Sequence, residues 1–209
     1  MSDAKTPAKR SEIRQANEAL ILQAAEKVFA EAGFGGATMQ VIADLAGLPK
    51  ANLHYYFATK EDLYRRVVRN IFEIWLKAAE AMDVSDDPAL GIGAYIEAKM
   101  ALSRAHPDGS KVWGFEVMHG APVIQDYLET TLRSWTEDRI ARIEAWIAEG
   151  KIKPISPRHL LYMIWATTQH YADFGHQTAT LNGGAYGDAE WQEATEAVKS
   201  ILLRGIGAI

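Results

Sequence analysis

The stretch that decides the fold is Thr38–Lys60, TMQVIADLAGLPKANLHYYFATK. Thr38 is a good N-cap, because a side-chain oxygen there can satisfy one of the N–H groups that a helix leaves open at its start. Val41, Ile42 and Leu45 then fall on one face of a short helix, and Gly47 supplies the positive φ at which a helix ends. Pro49 suits the first turn of a second helix, where its missing N–H has no intrahelical partner. Leu48 and Leu53 turn inward, while Lys50, Ala51, Asn52 and His54 lie on or near the outer side. The pair reads as a helix-turn-helix: buried anchors set the angle, and short or hydrogen-bonding side chains face outward, as a helix entering a major groove requires. By periodicity alone, the same pattern also suits an all-helical domain with no nucleic-acid role.

Upstream, Met1–Arg10 lacks periodicity and contains Pro7, so residues 1–10 read as a flexible arm. Its Lys5, Lys9 and Arg10, with Arg14 just beyond, are placed to meet phosphates or a minor groove. A first helix is expected from Ser11 to Ala32, striped by Ile13, Ala16, Leu20, Ala24, Val28 and Phe29. Gly33-Phe34-Gly35-Gly36 reads as a chain reversal and not as a phosphate loop, since no strand precedes it and no Lys-Ser/Thr follows. Downstream, Thr59-Lys60-Glu61-Asp62 has the form of a capping box with the shorter Asp in place of Glu. It opens a helix carrying Leu63, Val67, Ile71 and Ile74, which is expected to reach about Met82.

Composition sets the bounds. The 209-residue chain is 48% apolar and 10% aromatic, which argues for a folded protein. It has no cysteine, which excludes disulfides and thiolate metal sites, and no apolar run long enough to cross a bilayer, so a soluble cytoplasmic protein is the default. The net charge of −5 divides unevenly: residues 1–80 carry 11 Lys and Arg against 10 Asp and Glu, and residues 81–209 carry 11 against 17. The acidity therefore belongs to the later part of the chain and leaves the earlier part free to approach a polyanion.

Past the polar break at Val84–Pro88, helical patterning resumes through Ile92, Tyr95, Ile96, Lys99 and Met100, then stops at His106-Pro107-Asp108-Gly109. A helix around Ser110–Met118 holds Trp113, Phe115 and Glu116. A long amphipathic helix is expected from Pro122 to Glu149, closed by Gly150. Ser156-Pro157 opens another, down which Tyr162, Trp165, Gln169, Asp173 and His176 descend one face. A last helix runs from Asp188 to Arg204, with Trp191, Ala194, Val198, Ile201 and Leu202 inward. Nothing reads as a strand, so the fold class is all-α.

The segment Ile21–Tyr64, ILQAAEKVFAEAGFGGATMQVIADLAGLPKANLHYYFATKEDLY, resembles the DNA-binding domain of the TetR family of transcriptional regulators. The matching features are the alanine-rich helix ending in Phe29 and Gly33, the Thr38 cap, Ile42-Ala43, Ala46-Gly47, the run from Leu53 to Phe57, and Lys60, Glu61 and Leu63. Pro49 departs from the Ser or Thr that such proteins commonly carry before the recognition helix. Two further stretches, RNIFEIWL and ISPRHLLYMIWATTQHYADFG, resemble the pyrimidine-utilisation branch of that family.

The resemblance implies an arm at 1–10, a DNA-binding domain at 11–58, a connecting helix at 59–82, and a ligand-binding and dimerisation domain at 83–209. It implies a homodimeric, non-enzymatic repressor of pyrimidine-utilisation genes that binds palindromic double-stranded DNA and lets go when a free base, uracil or thymine, enters its second domain. No cofactor, metal or membrane is expected. Lys50, Asn52 and His54 are the candidate groove residues, with Thr38, Tyr55, Tyr56 and Lys60 assigned to phosphates. For the effector, Trp165 offers a flat apolar face and Gln169 both a donor and an acceptor; Phe72, Trp75, Trp113 and Phe115 would complete the walls, and Glu116 would accept from an imide N–H. His170, Asp173 and His176 are spaced for overlapping faces, but hydrogen bonding across a core or dimer interface suits them better than metal ligation. Two other readings stay open: a repressor answering an unrelated aromatic or hydrophobic effector, and a helical ligand-binding or scaffolding protein that does not read DNA.

Overall fold

The computed structural model describes residues 7–209, with side chains from Ser11 onward. Lys5 lies outside the described residues, as do the side chains of Lys9 and Arg10, so the proposed arm is represented here by Arg14 alone. The described residues form helices and turns with no strand, and divide into two compact units, Met1–Asn70 and Ile71–Ile209.

In the first unit, α1 (Pro7–Gly36) begins four residues before the expected Ser11. A proline fits the first helical position, because its φ is already helical and no N–H is lost from the ladder there. Helical geometry is interrupted at Gly33, whose φ of 66° and ψ of 173° turn the chain. The buried stripe of α1 starts at Ile21 and continues through Ala24, Ala25, Val28 and Phe29, whereas Ile13 and Leu20 are exposed, contrary to expectation. α2 (Met39–Ala46) buries Met39, Ile42 and Ala43. Val41 and Leu45, read onto one face with Ile42, face out while Ile42 is buried, because the i, i+3, i+4 stripe of this short helix is centred one position away from them.

Thr38 caps α2 as expected, its Oγ1 accepting from the N–H of Val41 at 3.2 Å, and Gly47 ends the helix at φ 67°. α3 (Lys50–Tyr56) starts one residue later than the proline was expected to allow. Pro49 occupies the N-cap with extended backbone and no side-chain cap, and its carbonyl accepts from the N–H of Asn52 at 2.8 Å. α4 (Lys60–Ala79) opens on the expected box: Asp62 N–H donates to Thr59 Oγ1 at 3.0 Å, and Thr59 N–H donates back to Asp62 Oδ2 at 3.2 Å.

The second unit continues from the last turns of α4 through a 3-10 turn (Glu80–Val84) into α5 (Pro88–Ala105), capped by Asp87. Gly91 permits this turn: a Cβ there would sit 2.9 Å from the Met82 carbonyl oxygen. α6 (Pro107–Met118) starts directly after the His106 bend. The helix expected from Pro122 is assembled in three parts, α7 (Gln125–Tyr127), a π-helical turn (Leu128–Leu132) and α8 (Arg133–Ala148). α9 (Pro157–Asp173), α10 (Gly175–Asn182) and α11 (Asp188–Ile206) complete it.

α5 lies against α9 and α11, while α6 and α8 both pack on α9. Their shared core includes Met82, Ile92, Tyr95, Ile96, Met100, Ile143, Trp146, Leu161, Ile164, Val198 and Leu202. Ile201 does not join it: it is 70% exposed on the far side of α11. One polar bond inside this core, from Ser103 Oγ to the Thr168 carbonyl at 2.8 Å, fixes α5 against α9. Asp83 ties the 3-10 turn to α8 by accepting from Arg139 Nη2 at 2.7 Å and Arg142 Nη1 at 2.6 Å.

Candidate DNA-reading face and effector cavity

In the first unit, Leu53 is the buried anchor of α3, and Lys50, Asn52 and His54 are exposed as expected. His54 Nδ1 lies 3.3 Å from the carbonyl of Ala58. Phe57 packs inward, while Tyr55 stands 72% exposed against the edge of Tyr56, with the Arg14 guanidinium 6.0 Å from its ring centre. The half-buried Tyr56 accepts from Asn17 Nδ2 at 3.4 Å. Thr38 is exposed and uses its oxygen lone pair on the helix cap, which leaves its O–H able to donate outward.

Lys60 is placed differently from its assignment. Its ammonium donates to the carbonyls of Phe34 and Ala37 at 2.7 and 3.0 Å and lies 4.4 Å from the Phe34 ring centre. The carbonyls left open where α1 ends take two of its three N–H groups, so its first duty is to hold the Gly33 reversal against the start of α4.

The second unit contains a cavity of about 70 Å³, against roughly 10–15 Å³ for one water. Five of the seven residues assigned to an effector line it: Phe72, Trp75, Trp113, Trp165 and Gln169. Each helix contributes residues at its own repeat: Phe72, Trp75, Leu76 and Ala79 from α4, Tyr95 and Lys99 from α5, Leu132 and Trp135 from the π turn and α8, and Trp165 and Gln169 from α9. Phe72 stacks on Trp113 with ring centres 5.8 Å apart, and Trp75 and Trp135 approach Trp113 and Trp165 at 5.9 and 6.3 Å.

Phe115 and Glu116 are not among the cavity's walls. Phe115, two positions after Trp113, is rotated to the opposite side of α6 and is 42% exposed. Glu116 is buried, and its carboxylate accepts from the Val123 N–H at 2.6 Å, which closes the turn after α6. Asp173 accepts from Ser110 Oγ; burial raises its pKa, against that bond and the nearby Lys99 charge. His176, expected on the same face, belongs to α10, because helical geometry breaks at Phe174. His170 stacks on Phe174 at 5.0 Å.

Sequence reasoning missed two polar members of the cavity, Tyr95 and Lys99. Trp165 Nε1 donates to Tyr95 Oη at 2.8 Å. Burial pushes the Tyr95 hydroxyl pKa up, opposed by that bond and by Arg139, so Tyr95 keeps its proton and can donate it. Lys99 is 4% exposed, with its ammonium 3.6 Å from the Trp75 ring centre. Burial lowers its pKa to about 7, against the attraction of Asp173. The indole N–H groups of Trp75 and Trp135 are buried and find no hydrogen-bond partner among the described residues. A clue to Lys99 was present in its position, one lysine inside the apolar stripe of Ile92, Tyr95, Ile96 and Met100. The lining of the chamber thus combines flat aromatic faces, an amide that both gives and accepts, and one lysine.

Residues 21–67 match the model of bacterial regulatory proteins of the tetR family, and residues 68–209 match the C-terminal region of YcdC-like proteins. The chain is 40% identical over 203 residues to the HTH-type transcriptional regulator RutR of Escherichia coli K12, covering 97% of this chain and 96% of that protein. Among solved structures, the ketosteroid transcriptional regulator KstR2 of Mycobacterium tuberculosis superposes with a TM-score of 0.74 at 21% identity, over 90% of this chain and 94% of that one. The transcriptional regulator SCO4942 of Streptomyces coelicolor gives 0.71 at 18% identity, over 91% and 98%. At those identities the two structures speak for the fold alone.

Proposed function

The chain belongs to the TetR family of DNA-binding, non-catalytic transcriptional regulators and is closely related to RutR, and we propose that it represses pyrimidine-utilisation genes until uracil or thymine enters the cavity of its second unit. The observation that carries this reading is the cavity itself: Trp75, Trp113 and Trp165 offer faces for a flat ring, with Gln169 beside them. An imide ring needs such faces, one acceptor for its N–H and donors for its carbonyls, and the Gln169 amide can supply both kinds of bond.

On the DNA side, Lys50, Asn52 and His54 address base edges, and Thr38, Tyr55 and Tyr56 address phosphates. Lys60 keeps a third N–H for a phosphate after serving Phe34 and Ala37. A homodimer, as is typical of the family, presents two recognition helices about 34 Å apart to successive major grooves of a palindrome. The pairing surface is assigned to the outer faces of α9 and α11, where Met163 and Ile201 are exposed. No helix among the described residues is long and apolar enough to cross a membrane, and the protein acts in the cytoplasm, where its operator and free bases meet.

The test is operator titration of the purified protein at fixed salt, on a palindrome selected from random duplexes, with and without a panel of free bases. Uracil or thymine weakens operator binding, and by linkage the operator weakens binding of the base by the same factor. In Gln169→Ala the response to the base falls about tenfold or more, on the scale of an unpaired hydrogen-bonding group in a buried site. The largely apolar walls also suit an aromatic effector without carbonyls; release by such a compound, with no response to uracil or thymine, decides for that second reading.

A further inference from the structure

Leu76 and Trp135 line the aromatic cavity and also an outer groove of about 620 Å³, whose rim includes Thr130, Thr131 and Ser134. The stretch 125–135, which runs between the two spaces, is lightly held. None of its residues is buried, although Ile124 before it and Thr136 after it are. α5, by contrast, buries a residue at every turn. The stretch rests on the cavity through a few side chains: the Tyr127 ring meets Phe72 edge-on at 5.4 Å, and Leu132 and Trp135 close the wall. Its backbone is also wound open, with the Arg133 N–H donating to the Leu128 carbonyl five residues back. Such π turns are rare and recur where a helix serves a site. On the other side of the cavity, Trp113 and Gln169 border a second outer groove. That wall is pinned, since Asp173 on α9 accepts from Ser110 Oγ on α6, and the Thr168 carbonyl accepts from Ser103 on α5.

We propose that residues 125–135 form a lid over the cavity, and that opening of this lid sets how fast an effector enters and leaves. The inference rests on reading the cavity as the effector site and adds the route to it. A segment with few buried contacts opens locally at low cost in free energy while the surrounding core stays folded. Ile124 and Thr136, both buried, are the fixed ends between which this one moves. The lid closes over the empty cavity and again over an occupied one, so its opening multiplies entry and exit by the same factor. Affinity is then set by the walls and speed by the lid.

The test uses the full chain with Thr131→Gly and Thr131→Ala, a position exposed in the outer groove and off the cavity's walls. Glycine in place of alanine loosens a helical turn by about 1 kcal/mol, roughly a fivefold change in opening. Hydrogen exchange read by mass spectrometry follows the opening of 125–135, and stopped-flow quenching of tryptophan fluorescence follows entry and exit of uracil, thymine and 4-nitrophenol. Circular dichroism melts establish folding, and the same pair of substitutions at Thr130 stands in if a Thr131 variant is unfolded. Amides of 125–135 are expected to exchange ahead of those of α5, and on- and off-rates to be roughly fivefold higher in the glycine variant than in the alanine variant at unchanged Kd. The matching pair at Val117, exposed on the second groove, leaves both rates as they are. If uracil binds but its rates follow the Val117 pair and not the Thr131 pair, the lid falls and the effector reading survives. If uracil and thymine fail to bind while 4-nitrophenol enters at rates that follow the Thr131 pair, the pyrimidine reading falls and the lid stands. The lid falls too if 125–135 exchanges as slowly as α5, or if none of the three compounds binds.

Discussion

Thr38 and Lys99 are the two residues whose chemistry is easiest to isolate. The Thr38 oxygen satisfies the Val41 N–H at the start of α2, so Thr38→Ala should lower stability to urea by about 1 kcal/mol. If Thr38 also meets a phosphate, operator affinity falls further than that loss of folding accounts for, which a binding titration well below the melting temperature would reveal. For Lys99 the sign of the pH effect follows from its environment. Burial lowers its folded pKa from 10.5 to about 7, so between those values the unfolded chain holds a proton that the folded chain has released. Stability therefore rises with pH across this window, by up to about 1.4 kcal/mol per pH unit from this one group, and below pH 7 the contribution levels off. Lys99→Met removes that slope. Its stability advantage over the wild type, measured by denaturation at pH 7, 8 and 9, should shrink as pH rises; an advantage that stays constant would mean that Lys99 does not titrate there.

At the level of elements, α3 shows how two local effects compete. Pro49 sits at the N-cap with φ −58° and cannot offer a capping oxygen. A serine there would gain a cap worth about 1 kcal/mol, but would lose the restriction that proline places on the unfolded chain, about 0.4–1 kcal/mol. Pro49→Ser is thus expected to leave stability within about 1 kcal/mol of the wild type by urea denaturation. The ends of these helices were legible because caps are local: the Thr59–Asp62 box, the Thr38 cap and the Gly47 stop each involve residues within a few positions of one another. Two starts were displaced, α1 to Pro7 and α3 to Lys50, where proline permits more than one adjacent register. The break between α9 and α10 falls at Phe174, directly before Gly175, a signal that the apolar period of α9 outweighed, and so His176 was read onto the wrong helix.

For the whole molecule, Ile201 was read as core because it keeps the apolar period of α11, yet it stands 70% exposed in the single chain. An exposed isoleucine beside a regular core stripe is what a pairing helix presents to a second copy. Ile201→Glu should shift the protein toward monomer in light scattering at micromolar concentration and weaken operator binding, since a single head makes half the groove contacts. A variant that stays fully dimeric would move the interface away from this face of α11.

The amino-acid order alone determined the all-α class, the helix-turn-helix and the family, because periodicity, caps and turn glycines act over a few residues and survive without knowledge of the partner helices. The same locality found the Trp165–Gln169 pair, at one helical turn on one face. Tertiary structure alone decided which faces meet. It brought Tyr95, Lys99 and Trp135 to the wall that Trp165 and Gln169 share, turned Phe115 outward, and gave Glu116 to a loop N–H and Lys60 to two carbonyls. Within a helix, a side chain's direction follows from its position in the repeat. Whether that direction ends in a core, a cavity or water depends on how separate helices pack, and a lysine inside an apolar stripe acquires its meaning only when aromatic faces from other helices close around it.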